Sequence, residues 1–363
     1  MAGRRRKSGR ACAIVVLLCC APAAWPEEEI AEGVAPRVRP LSASDTATAT
    51  PTSEPWIDSN LWLVRSLTGH SRAPVWLHFR VDGGSGDDYA RAIADTAAAG
   101  GRWAVELDDG FQADLRSGQS EALAKWGRIV NYLRFFEDHR GWREFVPSGP
   151  LGIVYDPAGK YVDISNEYLN LIARRRIPYR VIHRADLGAG ALGGLKAVLA
   201  IDASPPRTGE RALMESFAEA GGLVVTGPGW GKAPAGGEGY EVENSGKGRV
   251  AIYREDPPDP ETVSRDMLTL IGRANTGIRL FNGPSVLCHV TTGEAGARLL
   301  VQLINYATLP AEAVSLRVDG EYKAARVLSP DAPPAELAVE LAGGRTQVSL
   351  PAFSVYAAVV FEK

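Results

Sequence analysis

The sequence predicts an α/β fold: a parallel sheet preceded by two βα units and followed by a small antiparallel β-sandwich. Three observations carry that reading. Between residues 149 and 274, short and nearly all-apolar runs alternate with helical segments, the pattern of a parallel sheet covered on both faces. From about Asn275 onward the apolar period becomes two, in short runs parted by Gly, Pro and Asp at intervals of roughly ten residues. Between 56 and 148, two strand-like runs are each followed by a helix-like one. A chain of 363 residues, 45% of them hydrophobic, suits two or three domains of ordinary size.

The amino-terminal residues predict export. Arg4, Arg5, Arg6, Lys7 and Arg10 precede the apolar run ACAIVVLLCCA, and small residues follow at Ala21, Ala23 and Ala24, the layout of a secretory signal over residues 1–25. The run is about half of the roughly 20 apolar residues a spanning helix needs, so no integral membrane span is expected after its removal. The expected location is secreted or periplasmic. Lipid attachment at Cys20 is disfavoured, because Cys19 stands where a small residue would precede it. Of four cysteines only Cys288 lies beyond the signal, so no internal disulfide is expected. Residues 26–55, with SASDTATATPTSEP at their core, hold too few large apolar groups to offset ordering entropy and read as a disordered linker. A formal charge of −3 lacks the basic excess of a nucleic-acid binder, and nucleic acid is set aside as a partner.

Ordered sequence is expected to begin at WIDSNLWLVRSL, which is helix-like, followed by PVWLHFRV (74–81), a strand closed by GGSG. DDYARAIADTAAAG opens on two acids, favoured at a helix N-terminus, and stops at Gly100-Gly101. RWAVELDD is a second strand. SEALAKWGRIVNYLRFFEDH carries Leu123, Trp126, Ile129, Val130, Leu133 and Phe136 at three- and four-residue spacing, an amphipathic helix packed on a sheet. The block 149–274 places strands at GPLGIVYDP, IPYRVIHR, LKAVLAID, LVVTG and KGRVAIYRED, with helices over 161–176, TGERALMESFAEAGG and PPDPETVSRDMLTLIGR. Thr208 is the expected N-cap of the second of these. Arg174, Arg175 and Arg176 read as a solvated helix end opposing the dipole. The sandwich, 275–363, takes RLLVQLINYA, AVSLRVDG, KAARVLSP, AELAVEL and TQVSLPAFSVYAAVVFEK. In it Cys288 reads as buried and inert, with His289 on the opposite face of the strand, so the two make no catalytic pair.

In this order of parts, and in the phrases LLVQLINYA and LPAFSVYAAVVFEK, residues 56–363 resemble the C-terminal portion of multidomain glycosidases of the family 42 β-galactosidase type. In that family a catalytic (β/α)8 barrel precedes a flavodoxin-like domain similar to class I glutamine amidotransferases, and a β-sandwich follows. The resemblance implies that 56–148 correspond to the end of a TIM-like barrel, that 149–274 are amidotransferase-like, and that carbohydrate is the partner. A closed barrel takes about 250 residues, far more than lie between 56 and 148. The opposed acid and nucleophile of such an enzyme would then not both be present.

Glu106, Asp108 and Asp109 lie at the C-terminal end of the second strand, where α/β folds place active sites. On a strand Glu106 and Asp108 share a face, so the two carboxylates would interact and one pKa would rise; an Asp capping a turn is the alternative. Trp76, His78, Arg80 and Asp82 alternate along the first strand. Their shared face either lines a polar cleft, with Trp76 as a sugar platform, or meets water as an edge. Trp230, within TGPGWGKAPAGG, either packs on the fold or forms a lid or platform; that loop fits neither a phosphate loop nor a dinucleotide fingerprint. VLAIDASPP (198–206) ends where an amidotransferase would deliver its cysteine, and offers Asp202 and Ser204 without cysteine or elbow glycines. That block reads as catalytically silent. Five scattered histidines specify no metal, and no cofactor is expected.

Two functions stay open. The first is an exported, carbohydrate-associated protein with a binding or assembly role and an incomplete catalytic centre, in which Trp76, Arg80, Asp82, Asp109 and Trp230 contact sugar. The second is a glycoside hydrolase that uses Glu106, Asp108 and His78, completed by another subunit. The apolar faces of the first two units would be covered either by joining the middle sheet or by a homo-oligomer or partner.

Overall fold

The structure, a computed structural model, describes residues 30–38, 56–68, 74–81, 83–230, 239–293 and 296–363. The expected signal, most of the linker, and Asp82 lie outside the described residues. In chain order, β1 (Ala31–Glu32), β2 (Arg37–Val38) and β3 (Ile57–Asp58) lead into α1 (Leu61–Thr68), β4 (Trp76–His78), α2 (Gly86–Ala98), β5 (Arg102–Trp103), α3 (Asp109–Arg116) and α4 (Ser120–Asp138). The strands β1, β4 and β5 form a parallel sheet in that order.

The stretch 30–38, expected to belong to a disordered linker, thus supplies strands: β1 joins the parallel sheet and β2 pairs antiparallel with β3. Polar pinning holds it. The Asn60 amide accepts from Val34 N and donates to Val34 O, both at 2.8 Å. Asn60 is held in turn by the buried Asp95 carboxylate, 2.8 Å from its backbone nitrogen and 2.9 Å from its amide nitrogen. Composition weighs apolar bulk and does not register such pinning.

Local signals set the helices. Ser85 and Asp88 close a reciprocal capping box at the start of α2. Trp103 stacks on Phe79 at 4.9 Å and donates its indole N–H to the Phe79 carbonyl at 3.1 Å, locking β5 under the helices. The buried stripe of α4 is Ala122, Ile129, Tyr132 and Phe136. Leu123, placed on that stripe by spacing, is 52% exposed.

The second part follows β6 (Val146–Pro147). It comprises β7 (Leu151–Tyr155), α5 (Val162–Arg174), β8 (Tyr179–His183), α6 (Ala189–Leu192), β9 (Ala197–Leu199), α7 (Thr208–Glu219), β10 (Leu223–Thr226), β11 (Tyr240–Ser245), β12 (Gly248–Tyr253) and α8 (Pro260–Ile271). Its sheet runs β11-β12-β10-β9-β7-β8, parallel except for the edge strand β11, which sequence reading did not anticipate. Both faces are buried. Ile153, Leu199 and Val225 pack with Leu169 and Met267 on one side, and Val154, Val198 and Val224 pack with Met214 on the other. Thr208 opens α7 rather than capping it: the cap position is Arg207, whose backbone N–H is taken by Glu210 at 2.7 Å.

The arginines 174–176 are not a solvated end. Arg174 and Arg175 are buried, Arg174 lying 4.2 Å from the Trp56 ring centroid and Arg175 pairing with Glu261. Arg176, in the left-handed region at φ 57°, donates to the Gly283 carbonyl at 2.7 Å and ties this part to the next. A chain junction needs donors for its loop carbonyls, and Arg176 supplies them.

The third part contains β13 (Ile278–Phe281), β14 (Val286–Gly293), β15 (Arg298–Asn305), β16 (Ser315–Asp319), β17 (Ala324–Ser329), β18 (Ala332–Glu336), β19 (Glu340–Ala342), β20 (Arg345–Ser349) and β21 (Tyr356–Glu362). One sheet runs β13-β16-β20-β19, the other β18-β17-β21-β15-β14-β6. The strands β14, β15 and β21 of the larger sheet are buried on both faces. Cys288, Val301 and Val359 enter the sandwich core, whereas Leu287, Leu300, Ile304, Ala358 and Val360 share a core with α1, α2 and α4. The helices beside the first sheet are therefore covered within the chain, and the first and second sheets stay separate. Among the described residues no helix is long and apolar enough to cross a membrane.

Candidate functional site

One face of the first sheet packs on helices and, among the described residues, the other is open. Along 75–81, Val75, Leu77, Phe79 and Val81 are buried, while Trp76, His78 and Arg80 emerge on the far side, as strand alternation requires. Parallel pairing sets Glu32 beside His78. The result is a polar row. His78 Nε2 lies 2.8 Å from Glu106 Oε2, and His78 Nδ1 lies 3.3 Å from Glu32 Oε1. Arg80 Nε is 3.6 Å from Glu106 Oε1, and the Arg102 guanidinium sits 5.4 Å from the Trp76 ring centroid.

Both imidazole nitrogens can donate to carboxylates only when the ring is protonated. Accordingly, the Glu106 hydrogen bond raises the His78 pKa, with Glu32 adding to it against the opposing effect of burial. One Glu106 oxygen is taken up by His78 and the other faces Arg80.

Asp108 does not join Glu106 as a second free carboxylate. It is the N-cap of α3, accepting from Phe111 N at 2.8 Å and from the Tyr89 hydroxyl at 3.3 Å. Burial acts to raise its pKa, but these bonds and the charge of Lys125 outweigh it and the pKa falls. Asp109 is exposed in the first turn of the same helix. Trp230 is buried at 5% exposure under the Arg211 guanidinium, so it packs on the fold and presents no platform. Sequence reasoning missed Glu32 and Arg102. Glu32 lay in the presumed linker, and only pairing in space brings it to His78.

The strand end at VLAIDASPP closes on itself. Asp202 is buried, accepts from Asp156 N at 3.0 Å, and has its pKa raised by desolvation. Arg184 donates to the Asp202 carbonyl at 3.0 Å and pairs with Glu210 at 2.7 Å. Among the described residues no group of three or more His, Cys, Asp or Glu side chains is placed to hold a metal ion.

No family model matches the sequence, and no curated protein matches it. Solved structures do match, and in fold the chain is glycoside-hydrolase-like. It is similar to α-L-fucosidase isoenzyme 2 from Paenibacillus thiaminolyticus, with a TM-score of 0.57 at 12% identity, covering 84% of this chain and 62% of that one. Family 42 enzymes stand among its structural neighbours. A β-galactosidase from G. stearothermophilus gives 0.49 at 12% identity over 80% of this chain and 55% of the other. An exo-carrageenase from Bacteroides ovatus gives 0.44 at 13% over 85% and 45%. The chain thus spans about three fifths of the length of the fucosidase it matches.

Proposed function

We propose that this chain is an exported carbohydrate-binding protein built on a glycoside-hydrolase framework, and that it holds sugar on the open face of the first sheet without cleaving it. The observation that carries the reading is His78 standing between Glu32 and Glu106. Glycoside hydrolysis needs two carboxyl groups acting across one bond, one of them protonated. Here the nearest carboxylates both face the His78 ring, whose pKa the Glu106 hydrogen bond raises, and Asp108 is committed to its helix. What remains suits recognition: a partly exposed indole, two arginines, an imidazolium and carboxylates, the donors and acceptors that hydroxyl-rich ligands need. The fucosidase-like fold supports a carbohydrate-related role.

On this reading residues 56–148 are a partial barrel, with β1 as a further strand, and 149–274 a flavodoxin-like, amidotransferase-like domain. Numbered by sequence, the five parallel strands β7, β8, β9, β10 and β12 lie in the spatial order 2-1-3-4-5, which supports that assignment. The signal-like residues 1–25 support export.

Calorimetric titration with galacto-, fuco- and rhamno-oligosaccharides tests the proposal. Saturable binding of at least one is expected, weakened about tenfold in Trp76→Ala, a loss of about 1.4 kcal/mol, with the melting temperature unchanged. Absence of binding across the panel, or binding indifferent to Trp76→Ala and His78→Ala alike, overturns it.

A further inference from the structure

A cavity of about 370 Å³ lies where the three parts meet, away from the open sheet face. Its wall includes Arg65 from α1, Arg143 and Trp142 from the turn after α4, Arg180 from β8, and His289 and Thr291 from β14. Among the described residues the lining holds three arginines and no aspartate or glutamate.

Two of those arginines lack a carboxylate partner among the described residues. Arg65 is 6% exposed, donates from Nε to His289 Nδ1 at 3.0 Å and from Nη2 to the Cys288 carbonyl at 3.3 Å, and lies 4.7 Å from the Tyr179 ring centroid. A guanidinium only donates, so His289 Nδ1 carries the lone pair and Nε2 the proton. Burial and the Arg65 charge hold that ring neutral. Arg180 reaches the Gly193 carbonyl at 2.7 Å, yet its Nε is buried without an acceptor, and desolvation lowers its pKa. Arg143, by contrast, reaches Glu137 at 3.4 Å near the surface.

An independent observation points the same way. Thr291 is 3% exposed, lines the same cavity, and its hydroxyl has no hydrogen-bond partner among the described residues. Buried positive charge and buried idle donors are both unfavourable unless an acceptor arrives. Phe136, Phe145 and Trp142 give the remaining wall an apolar, aromatic character.

We propose that this cavity binds a small organic anion, a carboxylate on a six-membered ring, with Arg65 and Arg180 meeting the carboxylate, Thr291 donating to it, and the ring against Trp142 and Phe136. The shared chemistry covers an aromatic acid and a uronic acid. The site is independent of the open sheet face.

The test titrates the whole protein with para-hydroxybenzoate and with D-glucuronate, reading Trp fluorescence, beside para-hydroxybenzamide and D-glucose as uncharged counterparts and inorganic phosphate as a ringless anion. One ring acid is expected to bind saturably and the uncharged forms not. Which acid binds tells the two sources apart. Arg180→Gln is expected to weaken it by about tenfold, the cost of one charge-assisted bond. Because Arg65 also holds His289 and Cys288 in place, the second variant is Thr291→Val. It is expected to weaken binding while leaving the ligand-free melting temperature equal or higher, since it removes an unsatisfied buried hydroxyl. No binding of either acid, equal binding of the uncharged forms, phosphate binding as tightly as the ring acids, or affinity untouched by Arg180→Gln each overturns the proposal.

Discussion

Arg91 Nε donates to the Asn305 carbonyl at 3.1 Å across the seam between helix α2 and the sandwich sheet. Arg91 is 2% exposed, reaches the Ala307 carbonyl at 3.2 Å, and pairs with Asp88 at 2.7 Å. Arg91→Ala removes the donor from the buried Asn305 carbonyl and the part-buried Ala307 carbonyl and breaks the Asp88 pair, while Asp88 keeps its bonds to Ser85. The expected loss is about 3 kcal/mol in urea denaturation, at the upper end for stranded buried groups. A loss within about 0.5 kcal/mol, the range of an ordinary surface substitution, would show that the seam carries little of the fold.

The same seam bears on assembly. The sandwich sheet already covers the helices that would otherwise present a broad apolar face, and among the described residues the large exposed apolar ones, such as Leu309 and Val146, are few. Light scattering is expected to return the mass of a single chain. A concentration-independent dimer would mean that a different surface, not this one, drives association.

His78 gives a pH signature. A histidine held above its unfolded value contributes stability that is fully present below the unfolded pKa and fades as pH rises through the folded one. Its side chain is 42% exposed, so the effect on global stability is small. The ring proton titration by NMR is the better readout: the midpoint is expected above 6.5, and Glu106→Gln is expected to lower it. A midpoint at or below that value would remove the imidazolium bridge from the account.

Asp108 separates capping from catalysis. Asp108→Ala is expected to cost about 1 kcal/mol through loss of the α3 cap, whereas Asp108→Asn, which still caps, is expected to leave the melting temperature nearly unchanged. Oligosaccharide affinity should follow neither change. Equal destabilisation by both would argue that the charge, and not the cap, is what the fold uses.

Legibility in the sequence followed the range of the interactions. The strands at Leu151–Tyr155, Ala197–Leu199 and Leu223–Thr226 were readable because a two-sided burial demands nearly unbroken apolar runs. The open face was readable from the alternation of Trp76, His78 and Arg80. The strand at Ala31–Glu32 was not, since Asn60 and Asp95 hold it from residues distant in the chain. Asp108 and Trp230 show the same limit at the candidate site. In one dimension each stood open, Asp108 between a turn cap and a carboxylate pair and Trp230 between packing and a platform; the Phe111 amide shows the cap and the core beneath α7 the packing. The arginines of the central cavity carried no sequence signal at all, because no local pattern reports the absence of a counter-charge.

Whether the open face only holds sugar is tested most directly by incubating the purified protein with nitrophenyl galactosides, fucosides and rhamnosides and recording nitrophenol release. Release no faster than in buffer, with Glu106→Gln indistinguishable from the parent, is the outcome expected. Sustained turnover that Glu106→Gln abolishes in a still-folded protein would make the face a working active site and contradict the account.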